Sequence, residues 1–335
     1  MIDIITHPVF LWAVVILVVP GIFLWIASYF VASYIIYKET LRRTSKDKWG
    51  QDIPEDTPPD SRRMYEIGNQ WAQENDAFKE EVHIVNNGLN LYGEYFDFGC
   101  ERVAIVLSGR TENRKYGYYF AIPYAKRGCN VMVLDPRAHG KSDGDFNTIG
   151  FEESRDLIAW VRFLEKTYNV NSVILHGICI GAAGGMFALT SEDCPTCIDA
   201  MVAEGMFANF RESVKNHLIE RKRPVFILID LIDKWMVHYT GHSMKFGPID
   251  VIDKMDKPLL MLHSKEDIYS TPQNAQKLFD LAKSEYKQLV WFEHGKHSML
   301  RITDTELYDS SIDEFLNKVY PTTKTYTQKE DNYVL

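Results

Sequence analysis

The stretch Ser172-Val-Ile-Leu-His-Gly177-Ile-Cys179-Ile-Gly181-Ala-Ala constrains this chain more than any other. Its first residues are β-branched and aliphatic and read as a buried strand, while Ala182 to Leu189 is small and helix-compatible. Between them Cys179 stands as a one-residue pivot flanked by Gly177 and Gly181. Strand, pivot between glycines and helix form the context of a nucleophile elbow. The glycines let the backbone turn sharply and let strand and helix pass close to the pivot. The pivot side chain is thereby pushed out at the top of the sheet, beside a helix N-terminus.

The surrounding pattern supplies such a sheet. Val103–Leu107, Val131–Leu134, the elbow strand, Ile198–Ala203, Pro258–Leu262 and Gln288–Phe292 are short apolar runs separated by helical stretches. The helix expected from about Phe151 to Lys166 carries Leu157, Ile158, Val161 and Leu164 on one face. Alternation of this kind implies a mostly parallel sheet covered on both faces. Two earlier runs, Glu81–Val85 and Leu89–Phe96, flank Asn86-Asn87-Gly88, a hairpin signal that adds an antiparallel edge. Between about 207 and 247 the alternation breaks. Two helical stretches there, Arg211–Glu220 and Val225–Tyr239, are separated by Arg221-Lys222-Arg223-Pro224 and read as a lid. Phe226, Leu228, Ile229 and Trp235 equip it to line an acyl pocket, to touch a bilayer, or only to pack onto the domain.

From Ile4 to Tyr37 there is no Asp, Glu, Lys or Arg. About 20 apolar residues suffice to span a bilayer, and Trp12, Trp25, Tyr29, Tyr34 and Tyr37 are available as interfacial anchors. Pro20-Gly21 is expected to kink the helix. A cleaved signal peptide would want a basic start and a shorter apolar core, whereas this N-terminus carries Asp3 and no Lys or Arg. Residues 1–37 therefore read as a retained transmembrane anchor. Lys38, Arg42, Arg43, Lys46 and Lys48 follow it, which places the C-terminal domain on the cytoplasmic side and suits a free thiol. Residues 38–60 read as a juxtamembrane linker, 61–320 as the α/β domain and 321–335 as a polar tail.

The net charge of -9 argues against nucleic acid as a partner. The five cysteines do not read as a disulfide framework. Cys194-Pro-Thr-Cys197 lacks the second pair or His cluster of a zinc site, so a plain loop is its expected role. No metal or cofactor is called for.

A nucleophile at the pivot needs a base, and the base an orienting acid. Leu262-His-Ser-Lys-Glu266-Asp267 follows a late strand and offers Asp267, with Glu266 its neighbour and Glu204 a further alternative. Phe292-Glu-His294-Gly-Lys-His297-Ser follows the last strand and offers His297, better placed than His294 because it lies past the Gly295 turn. With Asp135-Pro-Arg-Ala-His139-Gly140-Lys-Ser142 after its second strand in the alternating series, the chain resembles the α/β-hydrolase superfamily, in the serine aminopeptidase and prolyl-oligopeptidase-like lineage. The resemblance covers roughly Val82 to Tyr320. It departs at Ser108-Gly109, where His-Gly is usual, at Ser264, where Gly is frequent, and at Cys179, where most members carry Ser.

The resemblance implies an α/β-hydrolase fold: a mostly parallel twisted sheet with helices on both faces, a helical lid and here an N-terminal transmembrane helix. It also implies a Cys179–His297–Asp267 triad and an oxyanion hole from the backbone N–H groups of Arg110 and Ile180. The Arg110 side chain is expected to face solvent. Free thiols have a pKa of about 8.5, lowered beside His or at a helix N-terminus. Attack on an ester, thioester or amide would give a thioester acyl-enzyme, with a small acyl compound or short peptide as substrate. Dienelactone hydrolases are similar in using Cys at this pivot for hydrolysis. Polyhydroxyalkanoate synthases share the G-x-C-x-G box and use it for acyl transfer. A non-catalytic binding module, with Cys179 as a small buried hydrophobe, is the third reading.

Overall fold

The computed structural model describes residues 8–320 apart from 51 and 56; the tail from Pro321 lies outside the described residues. Eight strands form one sheet: β1 (Lys79–Asn86), β2 (Leu89–Phe96), β3 (Arg102–Leu107), β4 (Asn130–Leu134), β5 (Ser172–Ile178), β6 (Ile198–Glu204), β7 (Leu259–Ser264) and β8 (Lys287–Phe292). Their order is β1-β2-β4-β3-β5-β6-β7-β8. The β1–β2 and β2–β4 pairs are antiparallel, and every later pair is parallel. The elbow strand β5 thus sits centrally, buried along nearly its whole length, which is why its sequence is a continuous apolar run rather than an alternation.

The helices are α1 (Pro8–Leu41), α2 (Pro59–Glu74), α3 (Arg114–Lys126), α4 (Phe151–Tyr168), α5 (Ile180–Leu189), α6 (Phe210–Glu220), α7 (Leu228–Thr240), α8 (Pro272–Leu281), α9 (Leu300–Thr303) and α10 (Thr305–Val319). Successive strand residues point to opposite faces. Ala104, Val106, Ile174 and Val202 pack against α3 and α10, and Val103, Ile105, Leu175 and Met201 against α4, α5 and α8. The α4 stripe Leu157, Ile158, Val161 and Leu164 is buried as its spacing requires. Helix ends are closed by side chains: the Asn113, Asn209 and Asp304 oxygens accept from the Lys115, Glu212 and Leu307 amides at 2.9, 3.0 and 3.0 Å.

Helix α1 is continuous through Pro20, and Val15–Leu41 is long and apolar enough to cross a membrane. It runs four residues past the expected boundary at Tyr37. Ser33, Tyr37 and Leu41 are fully buried, a stripe at four-residue spacing that faces α7. Trp235 of α7 packs on Phe30 and Tyr34 with ring centroids 4.8 and 5.0 Å apart and donates from Nε1 to Ser33 Oγ at 3.0 Å. Tyr239 stacks on Tyr37 at 5.5 Å. The segment after α1 lies against the loop that follows β4. Arg42 pairs with Phe146 by backbone, and the Arg43 guanidinium donates to the Ser142 and Gly140 carbonyls at 3.0 and 2.9 Å. Part of the basic cluster after α1 therefore fixes helix to domain.

Candidate active site

Cys179 adopts φ 53° and ψ −109° immediately before α5, a left-handed backbone that a side-chain-bearing residue accepts only at a cost of about 1–3 kcal/mol. Three close contacts hold it there. The Cys179 amide donates to the Glu204 carbonyl at 2.9 Å. A Cβ at Gly177 would strike Ala182, and one at Gly181 would strike the Leu107 carbonyl. Strand, helix and the end of β3 thus converge too tightly for any other residue at the two glycine positions. The packing of Gly181 also brings the Leu107–Ser108 backbone against the first turn of α5, whose leading amides lack partners within the helix. The Gly109 N–H donates to Glu112 Oε2 at 2.9 Å. Nε2 of His139 lies 2.6 Å from the Arg110 carbonyl oxygen and Nδ1 2.8 Å from that of Arg137, holding this loop from behind.

The loops after β7 and β8 bring Asp267 and His297 together. His297 Nδ1 donates to Asp267 Oδ2 at 2.7 Å, and Cys179 lies within electrostatic reach of the same imidazole. Asp267 is 3 % exposed, and its Oδ1 accepts from the Tyr269 and Ser270 amides at 2.8 and 2.9 Å. Burial pushes the Asp267 carboxyl up, but the bond from His297 and the charges of His297 and His263 outweigh it, and the net shift is downward. Burial pushes His297 down, yet the Cys179 charge and the Asp267 bond carry it well above its usual 6.5.

The alternatives lie elsewhere. His294 is exposed and pairs with Glu266 at 3.0 Å. Glu204 is buried and accepts from the Leu300 amide at 3.1 Å and the Tyr308 hydroxyl at 2.6 Å rather than from His297; burial pushes it up to about 7. Cys194 and Cys197 are free thiols, the latter pushed up to about 12, first by burial. His176 sits between the Tyr124 and Tyr308 hydroxyls at 2.8 and 3.0 Å. Among the described residues no cluster of His, Cys, Asp and Glu is arranged to hold a metal ion.

The expectation for the Arg110 side chain is corrected. It is half-buried and donates from Nη1 to the Thr40 carbonyl, at the end of α1, at 3.2 Å, because the end of α1 covers the solvent it would otherwise enter. The sequence does not single out Tyr269. Its ring stands edge-on to His297 at 5.7 Å and stacks on His217 of α6 at 3.8 Å. Its hydroxyl donates to Glu220 at 2.6 Å. Only its position two residues after Asp267 could have signalled it.

No protein-family model matches the chain. The chain is 29 % identical over 223 residues to uncharacterized protein YqkD of Bacillus subtilis, covering 66 % of this chain and 72 % of the relative. It is 25 % identical over 162 residues to the lysophosphatidylserine lipase ABHD12 of Danio rerio, covering 46 % of this chain and 40 % of the relative. Among solved structures, the Pyrococcus furiosus esterase Pf2001 superposes with a TM-score of 0.62 at 20 % identity, covering 80 % of this chain and 97 % of that one. The fold is that of the α/β-hydrolases. One apolar N-terminal helix, long enough to span a membrane, is joined to it.

Proposed function

We propose that the chain is a membrane-anchored hydrolase cleaving an ester, thioester or amide through Cys179, His297 and Asp267. The carrying observation is the strained Cys179 pivot before α5, within electrostatic reach of an imidazole that Asp267 holds at 2.7 Å. The Cys179 sulfur attacks the acyl carbonyl. The negative charge that develops on the carbonyl oxygen is held by the Arg110 and Ile180 amides and the positive end of α5. His297, as imidazolium, protonates the leaving group as the C–O, C–S or C–N bond breaks, leaving a thioester. Neutral His297 then takes a proton from water, whose oxygen attacks the thioester, and the carboxylic acid departs as the thiol site is restored. Asp267 fixes the ring so that Nε2 faces the chemistry. The names of the relatives and structural neighbours, esterases and a lipase among them, agree with this class of reaction.

The lid helices, the anchor and the basic residues after it favour an acyl substrate met at the membrane, with the domain on the cytoplasmic face. Detergent-solubilised full-length chain is expected to turn over p-nitrophenyl esters, and Cys179→Ala to abolish turnover. Undiminished turnover in that variant would sink the nucleophile assignment. Protease accessibility of the domain in intact cells tests the orientation.

A further inference from the structure

The connection between α6 and α7 combines features that the packing of the domain does not require. Phe226 is 82 % exposed and Ile219 is 54 % exposed. Arg221, Lys222 and Arg223 between them are exposed as well, in a chain whose net charge is -9. The nearby carboxylates are committed elsewhere: Asp230 to Arg211 at 2.9 Å, and Glu220 to the Tyr269 hydroxyl at 2.6 Å. Ile227 adopts φ 64° and ψ −45°, and the Leu228 amide donates to the Phe226 carbonyl at 2.7 Å. That is a three-residue turn, rare and strained for a β-branched residue, and it accompanies the outward placement of Phe226.

The direction of this tip follows from the pairing of α7 with α1. Trp235 meets Phe30 and Tyr34, and Tyr239 meets Tyr37, so the two helices run the same way. At a rise of 1.5 Å per residue, the start of α7 lies roughly 10 Å further toward the apolar span than Trp235 does. There α1 presents Phe23, Leu24 and Ile26, all exposed. We infer that the 219–226 tip docks into the headgroup region of the bilayer leaflet that α1 enters, and that this leaflet is anionic. Phe226 and Ile219 enter the acyl boundary while Arg221, Lys222 and Arg223 meet the lipid phosphates. Each such cation contributes about fivefold to binding at an anionic surface, on the order of a hundredfold for three. The same tip reaches the catalytic side through Glu220 and His217 on Tyr269, so docking sets the lid beside the membrane where an acyl chain would arrive.

The inference rests on α1 spanning the bilayer but not on the chemistry of Cys179. Hydrogen exchange of the full-length chain in nanodiscs tests it without an activity readout. Amides between residues 219 and 227 are expected to exchange at least tenfold more slowly in phosphatidylcholine–phosphatidylglycerol nanodiscs than in phosphatidylcholine alone. Phe226→Asp and Arg223→Glu should each shrink that difference while the amides of β3 and β5 keep their wild-type protection. Equal exchange in the two lipid compositions, or a difference that both variants retain, overturns the proposal.

Discussion

Replacing Asp267 by Asn removes one charge from the site and reverses one hydrogen bond. In the wild type, Oδ1 takes the Tyr269 and Ser270 amides and Oδ2 takes the His297 Nδ1 proton at 2.7 Å. In Asp267→Asn the side-chain oxygen keeps the two amides, since they need an acceptor, and the new NH2 faces His297. Nδ1 must then accept, and the ring proton moves to Nε2, where a base needs a lone pair. A buried acid replaced in this way costs up to about 10⁴ in kcat in a serine triad. Because a thiol is more easily deprotonated than a hydroxyl, the expected loss here is roughly 10²–10³. The pH profile carries a second signature. His297 is held well above 6.5 by Cys179 and Asp267, and acylation needs the imidazolium, so kcat/KM should fall as pH rises through that raised value. Without the carboxylate the alkaline limb moves down toward 6.5. The stability signs also differ between partners. The raised His297 contributes stability that is full below 6.5 and lost as pH rises through its folded value. The depressed Asp267 contributes stability that is present above 3.8 and lost on acidification through its lowered value. Kinetics of p-nitrophenyl ester cleavage across pH would show both effects, and a variant with wild-type kcat/KM and an unmoved alkaline limb would refute the reasoning.

Gly181→Ala would drive a methyl group into the Leu107 carbonyl, and since neither backbone can yield cheaply, the loss is expected to reach about 3 kcal/mol and lower Tm by roughly 5–10 °C. Thermal unfolding of the solubilised chain measures it. Gly205→Ala probes the histidine directly, because Gly205 has φ 57° and a Cβ there would lie 3.2 Å from the His297 ring; kcat should fall about tenfold with KM nearly unchanged. Tyr269→Phe keeps the ring beside His297 and the amide on Asp267 but loses the 2.6 Å tie to Glu220. It should raise KM several-fold while leaving kcat within about twofold, as expected for lost uniform binding, and a fall in kcat alone would contradict a tether to the lid.

What could be read without coordinates was whatever depends on neighbours along the chain. Strand–helix alternation with continuous apolar strands dictates a parallel sheet buried on both faces, and the Asn86-Asn87-Gly88 turn dictates its antiparallel edge. Gly177 and Gly181 around Cys179 mark a turn that only glycine permits, and a charge-free run from Ile4 to Tyr37 marks a helix with no need of a core. Only the tertiary structure decided the relations between segments far apart in sequence. It set His297 on Asp267 and His294 on Glu266, and it gave Glu204 to Leu300 and Tyr308. It also laid α1 along α7, which drew Arg110 from solvent to the Thr40 carbonyl, and it tied the Tyr269 hydroxyl to Glu220 of α6. The physical reason is range: propensity and periodicity act over a few residues, whereas burial and hydrogen-bond satisfaction depend on partners that the folded sheet alone brings within 3 Å.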